Sequence, residues 1–433
     1  MTSVAAVGLD LDLLRALLEL PTAGPLEAGP GAPVELAAAQ RAYAAAADGF
    51  AVAYHGAPAE LPDRLTPLPV RAAVAADPGF LAAQPSLVLR RGPDRPAATV
   101  MFNVHLDTVA GLEPVRVADG RVTGRGAIDA KGPAVALLAG IRAALAAEPA
   151  VGDLALVVQA VAGEEGGAMG VFGTRPLVDA GWTGDLNVFC EPTGRRLLDR
   201  STAAMTACVE VAGADAIDDE PAAGHNATVL LGALAGHLAE TLPAQTDGAV
   251  CVAGLHTGTM HNKVHGSGRL LLNLSYGSPG TGDRLAAAVH REVDAGLAAF
   301  AGRYAASPLL ARTAADAAAI TAVRWLKRGL PALAPADPAA ADRLAAAAGL
   351  DRWPAGEPAF SCDAIWAAGL PGATTVVLGP GDLAGNHAHA AGEFAELAEL
   401  ERFAADVARL LAAAAREPGL IVGGRVADRD GSG

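Results

Sequence analysis

Asn103-Val104-His105-Leu106-Asp107-Thr108-Val109 closes the apolar run Ala97–Val104. If that run is a β-strand, its period of two puts the His105 and Asp107 side chains on one face. This is the geometry of a metal-ligating imidazole with a carboxylate beside it, and such a carboxylate can fix the tautomer and raise the basicity of the ring. One H-x-D pair is weak evidence by itself. The weight falls on what the rest of the chain places in similar positions.

Asp153–Ala162 is a second near-continuous apolar run, the mark of a strand buried on both faces, and it ends in Gly163-Glu164-Glu165-Gly166-Gly167. Asp185–Cys190 ends in Glu191-Pro192, and Ala373–Leu378 leads through Gly379-Pro380-Gly381 to His387 and His389. Gly124-Arg125-Gly126-Ala127-Ile128-Asp129-Ala130-Lys131-Gly132 sets Asp129 in a glycine loop before a helix over Pro133–Ala147. Proline in the first turn and glycine just before it suit a helix start. His105, Glu164, Glu165, Glu191 and His389 thus each follow a buried strand at its carboxyl end, where open parallel α/β sheets bind their ligands. Imidazole and carboxylate groups suit Zn²⁺, and two divalent ions can share one carboxylate. Water beside such an ion ionises near neutral pH, and a free carboxylate can take its proton. Neighbours at a strand end point different ways, so Glu164 and Glu165 can divide the roles of base and ligand.

The chain has 433 residues, enough for two or three domains. Its N-terminal part reads as a helix over Leu9–Leu20, a Gly/Pro loop over 22–33 and a helix over Val34–Asp48. Prolines interrupt 55–95 too often for assignment, and 111–123 reads as a loop or hairpin. Residues 203–327 break the βα rhythm. Strand Ala203–Val211, helix Asn226–Thr241, strands within Gly248–Val264 and Gly268–Tyr276, helix Leu285–Ala301 and strand Ala319–Lys327 follow a ferredoxin-like order. The expected fold is therefore α/β: a catalytic domain with a mostly parallel sheet, formed by 1–202 and 328–433, interrupted by an α+β domain over 203–327. A last helix is expected from about Glu396 to Arg416, with a polar tail that frays.

The net charge of −15, from 47 acidic and 32 basic residues, argues against a nucleic-acid footprint. The four cysteines, at 190, 208, 251 and 362, show no metal-knuckle or disulfide spacing and read as free thiols in a reducing compartment. Met1–Leu20 lacks a basic n-region and carries Asp10, Asp12 and Glu19, so no signal peptide is expected. The best apolar stretch, Ala134–Ala147, is short and contains Arg142, so no membrane span is expected. Together these readings point to a cytoplasmic protein with a small-molecule substrate.

The segments FNVHLDTV (102–109), GRGAIDAKG (124–132), GEEGG (163–167), FCEP (189–192) and HAAGE (389–393) resemble, in order and context, those of the co-catalytic zinc aminoacylases, acetylornithine and succinyl-diaminopimelate deacylases and glutamate carboxypeptidases. The resemblance runs from about residue 97 to 412. It implies a zinc-exopeptidase-like catalytic domain and an inserted lid that forms a homodimer. It implies two Zn²⁺ ions, with Co²⁺ or Mn²⁺ as substitutes, held by His105, Asp129, Glu165, Glu191 and His389, with Asp129 bridging. His389 is preferred over His387 because Glu393 stands four residues after it, as the family pattern has it. Glu164 would be the general base and Asp107 the partner of His105. The implied activity is amide hydrolysis of a small N-acyl amino acid or dipeptide-like molecule.

The lid departs from the pattern. Gly213, Pro221, Gly224, Asn226 and Ala227 match, but Ile217 stands where the family has a carbonyl-polarising histidine, and Ser275 where it has an arginine. Isoleucine cannot donate a hydrogen bond to an oxyanion. Amide formation or acyl transfer is therefore an alternative chemistry. Asn262 matches the lid asparagine. His261 and His265, with His256 nearby, are candidates to replace the lost contacts, so Asn262, His261 and His265 are the expected substrate-binding residues. Asp218, Asp219 and Glu220 beside Ile217 would favour a cationic substrate.

Overall fold

In the computed structural model, which describes residues 8–61 and 65–421, the apolar runs become the strands of a buried sheet. The principal strands are β1 (Ala51–Gly56), β2 (Ser86–Arg91), β3 (Thr99–His105), β4 (Ala155–Val161), β5 (Leu186–Phe189), β6 (Ala203–Ala212), β7 (Val250–His256), β8 (Ser267–Tyr276), β9 (Thr321–Lys327) and β10 (Thr374–Val377). The principal helices are α1 (Leu11–Glu19), α2 (Leu36–Ala45), α3 (Lys131–Ala147), α4 (Ala227–Thr241), α5 (Pro279–Tyr304) and α6 (Leu397–Arg416). They divide into two compact units. One comprises residues up to 201, 333–358 and those from 362 onward; the other comprises 202–332 and 359–361. The unit boundaries therefore fall at 201/202 and 332/333, and a short return segment joins the second unit.

The first unit is built on a six-stranded sheet in the order β1-β2-β4-β3-β5-β10. β4, β3, β5 and β10 run parallel, and β2 and then β1 add antiparallel on one edge. Every residue of β4 is buried, as its near-continuous apolar run implies, and the one polar member, Gln159, is hydrogen-bonded to Asn103 and to the Trp182 carbonyl. The stretch 55–95, whose prolines hide any period, contains β2 and a helix over Leu68–Ala76. The segment 111–123 forms a hairpin, Arg116–Ala118 against Arg121–Thr123, turning through Asp119 and Gly120 at positive φ. Phe394–Glu396 adds a third strand beside Arg121–Thr123. The polar tail beyond residue 421, expected to fray, lies outside the described residues.

Helix α1 starts at Asp10, whose carboxylate accepts the Leu13 N–H at 2.9 Å, and buries Leu13, Leu14, Leu17 and Leu18 along one face. Helix α3 begins at Lys131, two residues before the expected Pro133, which places Asp129 directly ahead of its first turn. Helices α3 and α6 pack closely. A Cβ added at Gly140 of α3 would lie 2.5 Å from the Ala404 carbonyl oxygen and 2.7 Å from Val407 Cβ.

The second unit is an antiparallel sheet in the order β7-β8-β6-β9 with α4 and α5 packed on it, the ferredoxin-like arrangement. Asn226 caps α4 by accepting the Val229 N–H at 3.0 Å. Among the described residues no helix is long and apolar enough to cross a membrane.

The α3–α6 contact tests the packing directly. Gly140→Ala should improve helix propensity yet destabilise the protein by about 1–3 kcal/mol, because the added methyl overpacks the crossing. Urea unfolding of the two proteins checks the sign; a gain in stability would contradict the close approach.

Candidate metal centre

His105 is the last residue of β3, so its ring emerges at the carboxyl edge of the sheet, 1% exposed. Its Nδ1 lies 2.9 Å from the main-chain oxygen of Asp107. A carbonyl only accepts, so Nδ1 donates and Nε2 is left facing Asp129 Oδ1 at 2.8 Å and Glu191 Oε1 at 3.9 Å. This corrects the sequence reading of the H-x-D pair. Asp107 lies beyond the strand, and it is its carbonyl, not its carboxylate, that orients the ring; Asp107 Oδ1 is 3.8 Å from Nδ1. Asp107 Oδ2 accepts the Glu165 N–H at 3.2 Å instead, while Oδ1 is buried without a hydrogen-bond partner among the described residues.

Asp129 Oδ2 meets His389 Nε2 at 3.0 Å, and the same nitrogen lies 3.0 Å from Glu165 Oε1. The Asp129–Ala130 peptide bond is cis. Three groups of potential ligand atoms emerge, with the atoms of each lying within 4.8 Å of one another: His105/Asp129/Glu191, Asp129/Glu165/His389 and His105/Glu164/Glu165. Asp129 is common to the first two. His387 belongs to none of the three; its ring packs edge-on against Phe394 at 5.8 Å.

The cluster concentrates negative charge in a dry place. Burial, reinforced by the charges of Glu165 and Glu191, drives the Glu164 carboxyl well above the usual range. Burial pushes Glu191 up to about 8, against the lowering effect of His105. Asp129 goes the other way: burial would raise it, but the hydrogen bonds from His105 and His389 hold it well below the ordinary carboxylate range. Burial would lower His105, yet the Asp129 hydrogen bond and the surrounding carboxylates raise it well above an ordinary imidazole. Hydrogen bonds to Asp129 and Glu165 raise His389 to about 10. Nitrogen and oxygen donors within reach of one another and crowded, buried carboxylates are what a divalent cation relieves, so the residues present fit a divalent-metal centre.

Four further buried residues surround this site; Arg125, Lys131 and Glu393 lie within the motifs, whereas Asp363 lies outside them. Lys131 is fully buried, donates Nζ–H to the Leu20 carbonyl at 3.0 Å, and is lowered to about 7, chiefly by burial. Asp363 is fully buried; its Oδ2 accepts from Thr174 at 2.5 Å, and that hydroxyl accepts in turn from Asn103 at 3.1 Å. Burial raises Asp363 to about 7. An aspartate inside the otherwise apolar Ala364–Ala368 neighbourhood is the signal that would have found it. Arg125 and Glu393 form a buried ion pair at 2.7 Å beside the Asp129 loop.

The three expected substrate-binding residues lie in the second unit. His261 and Asn262 are exposed in the segment after β7, and His265 Nε2 lies 3.3 Å from the Met260 carbonyl oxygen. Ile217, 58% exposed, pairs with Lys263. The Ser275 hydroxyl accepts the Ala249 N–H at 2.6 Å, a structural bond at the start of β7.

The family profile of peptidase family M20/M25/M40 matches residues 101–413. A putative LysW-lysine/LysW-ornithine hydrolase of Aeropyrum pernix is 31% identical over 220 residues, which make up 50% of this chain and 59% of that relative. Two solved structures share the fold. An M20 family metallo-carboxypeptidase of Sulfolobus solfataricus has a TM-score of 0.65 at 11% identity, covering 96% of this chain and 100% of that one. A dipeptidase of Saccharomyces cerevisiae has a TM-score of 0.62 at 12% identity, covering 94% and 96%. With the profile spanning well over half of the chain and the ligand-type residues gathered at the carboxyl edge of its sheet, the protein belongs to peptidase family M20/M25/M40 and is a metal-dependent hydrolase of that family.

Proposed function

We propose that this chain hydrolyses an amide bond in a small N-acyl amino acid or dipeptide-like molecule, using two divalent ions, zinc by expectation, with cobalt or manganese as substitutes. The observation that carries this reading is the sharing of Asp129, which turns Oδ1 to His105 and Oδ2 to His389. His105 and Glu191 complete one ligand set around it, and Glu165 and His389 the other. Bound there, the ions supply Lewis acidity, acidifying water and polarising the amide carbonyl.

The protein's own groups divide the remaining work. Glu164 stands outside the two sets that share Asp129, so it is the carboxylate free to take a proton from water and return it to the leaving amine. Burial and the neighbouring charges of Glu165 and Glu191 raise its carboxyl above the usual range. Asp107 fixes the His105 ring through its carbonyl and the Glu165 main chain through its carboxylate.

Asn262, His261 and His265 are proposed to contact substrate, and the second unit to mediate homodimerisation. The free, largely buried thiols of Cys190, Cys208 and Cys362 support a reducing, cytoplasmic setting. The Aeropyrum relative is named for release of lysine and ornithine from a conjugate. With Asp218, Asp219 and Glu220 beside Ile217, this supports basic amino acids as part of the substrate.

A second reading, amide formation or acyl transfer on the same site, draws on Ile217 and Ser275. The exposed isoleucine offers no donor, and the serine hydroxyl is engaged with Ala249, so the histidine and arginine of the family pattern have no replacement at those positions.

Product analysis by mass spectrometry tests both readings. Metal-loaded protein is incubated with N-acyl amino acids, including N-acyl lysine and ornithine, and with dipeptides, with and without added amines. Hydrolysis predicts release of free amino acid, reduced about 10²–10⁴-fold in Glu164→Gln, the loss expected for a general base. No amine release from any member of the panel would sink the first reading, and condensed products would establish the second.

Metal binding should also release protons. Glu191 near 8 and His389 near 10 hold protons at pH 7, and both must lose them to become ligands. Affinity should therefore rise with pH between 6 and 8. Calorimetry at pH 7 in buffers of different ionisation enthalpy should report at least about one to two protons released per protein, because His105, also raised by its carboxylate neighbours, adds to the count. A buffer-independent enthalpy would contradict the assignment.

A further inference from the structure

Asp129 and His389 are 260 residues apart in sequence, and a set of contacts outside the catalytic scheme ties their loops together. His389 is held by little packing. Its side chain is 51% exposed and its backbone sits at φ 63°, in the left-handed region that disfavours side chains. Four residues later, Glu393 is 1% exposed. Its Oε1 accepts the main-chain N–H groups of Ile128 at 3.0 Å and of Asp129 itself at 3.2 Å. Its Oε2 accepts from Arg125 Nη1 at 2.7 Å. Arg125 reaches back to the histidine loop, donating Nη2–H to the Ala390 carbonyl at 3.0 Å. Glu113 closes the far side by accepting the Gly392 N–H at 2.9 and 3.0 Å.

These bonds act unequally on the two ligand sets. His105, Asp129 and Glu191 have no member on the 387–393 loop, whereas the set of Asp129, Glu165 and His389 does. The Asp129 loop also has bonds of its own: the Ala127 N–H donates to Gly124 O, and those of Lys131 and Gly132 to Gly126 O. Loss of Glu393 would therefore free His389 while leaving Asp129 placed against His105.

We propose that the Arg125–Glu393 pair is a positioning device that sets His389 against Asp129 and so governs occupancy of the second metal position, with little influence on the first. The proposal rests on the two-metal reading above. Neither residue touches substrate or the reacting atoms in that scheme; both act through the ligand loops.

The test is a Zn²⁺ titration of the metal-free, full-length protein against a competing chromophoric chelator, with His389→Ala as the reference for loss of the second position. Wild type should bind two ions. Glu393→Ala should keep the tighter ion at unchanged affinity and weaken the other about 10–100-fold, the usual effect of removing a group that supports a ligand. Glu393→Gln keeps an oxygen for Ile128 and Asp129 but loses the ion pair, and should fall between. Glu113→Ala, a half-buried change that holds even if Glu393→Ala does not fold, should weaken the same ion by less. Equal weakening of both ions in the variants, or two ions bound at wild-type affinity, would overturn the proposal. A wild-type stoichiometry of one would overturn the two-metal reading and this inference with it.

Discussion

The Asp129 carboxylate sits between two histidines, 2.8 Å from one and 3.0 Å from the other, inside a cluster that also holds Glu164, Glu165 and Glu191. Carboxylates this close and this dry repel one another, which is why burial and mutual charge drive Glu164 and Glu191 upward while the two imidazoles hold Asp129 down. Such an arrangement is stable only when something positive shares the space. The requirement for positive charge and the requirement for a rigid frame are thus linked, and the rest of the first unit can be understood as supplying that frame.

The frame comes from the sheet edge and its loops. Each candidate ligand follows a different strand, so no local flexibility moves two of them together. Tight turns bring the loops close enough. Gly163, at φ 70°, precedes the glutamate pair with the Phe172 ring so near that a Cβ would lie 2.3 Å from it, and only glycine fits there. Behind this cluster the Asn103 amide donates to Gln159 and Thr174, and Thr174 donates to Asp363, a buried polar chain that ties two strands to two short helices. Its shared hydrogen bonds stiffen it, although Asp363 Oδ1 has no hydrogen-bond partner among the described residues.

The second unit has the ferredoxin-like order, and two of its positions depart from the pattern it resembles. The bonds that build it persist, from the Asn226 cap on α4 to the antiparallel register of β8 against β6. The positions that would address a substrate carry Ile217 and Ser275, one exposed and apolar, the other engaged in holding its own strand end. Architecture is spread over many residues and survives such changes, whereas recognition rests on a few side chains and does not.

What the sequence by itself determined were the features written by near neighbours along the chain. Near-continuous apolar runs leading to His105, Glu165 and Glu191 marked buried parallel strands, glycines marked the Asp129 loop, the resemblance favoured His389 over His387 through Glu393, and the βαββαβ order of the second unit was legible from periodicity alone. Tertiary structure decided the rest. It put the Asp107 carbonyl rather than its carboxylate at hydrogen-bond distance from His105, joined Glu393 to Arg125, and brought Asp363 to the site. The reason is physical. Backbone preferences and hydrophobic period act over a few residues, so they can be read in order. How closely a histidine approaches a carboxylate 260 residues away depends on the packed interior between them, and no local pattern carries that distance.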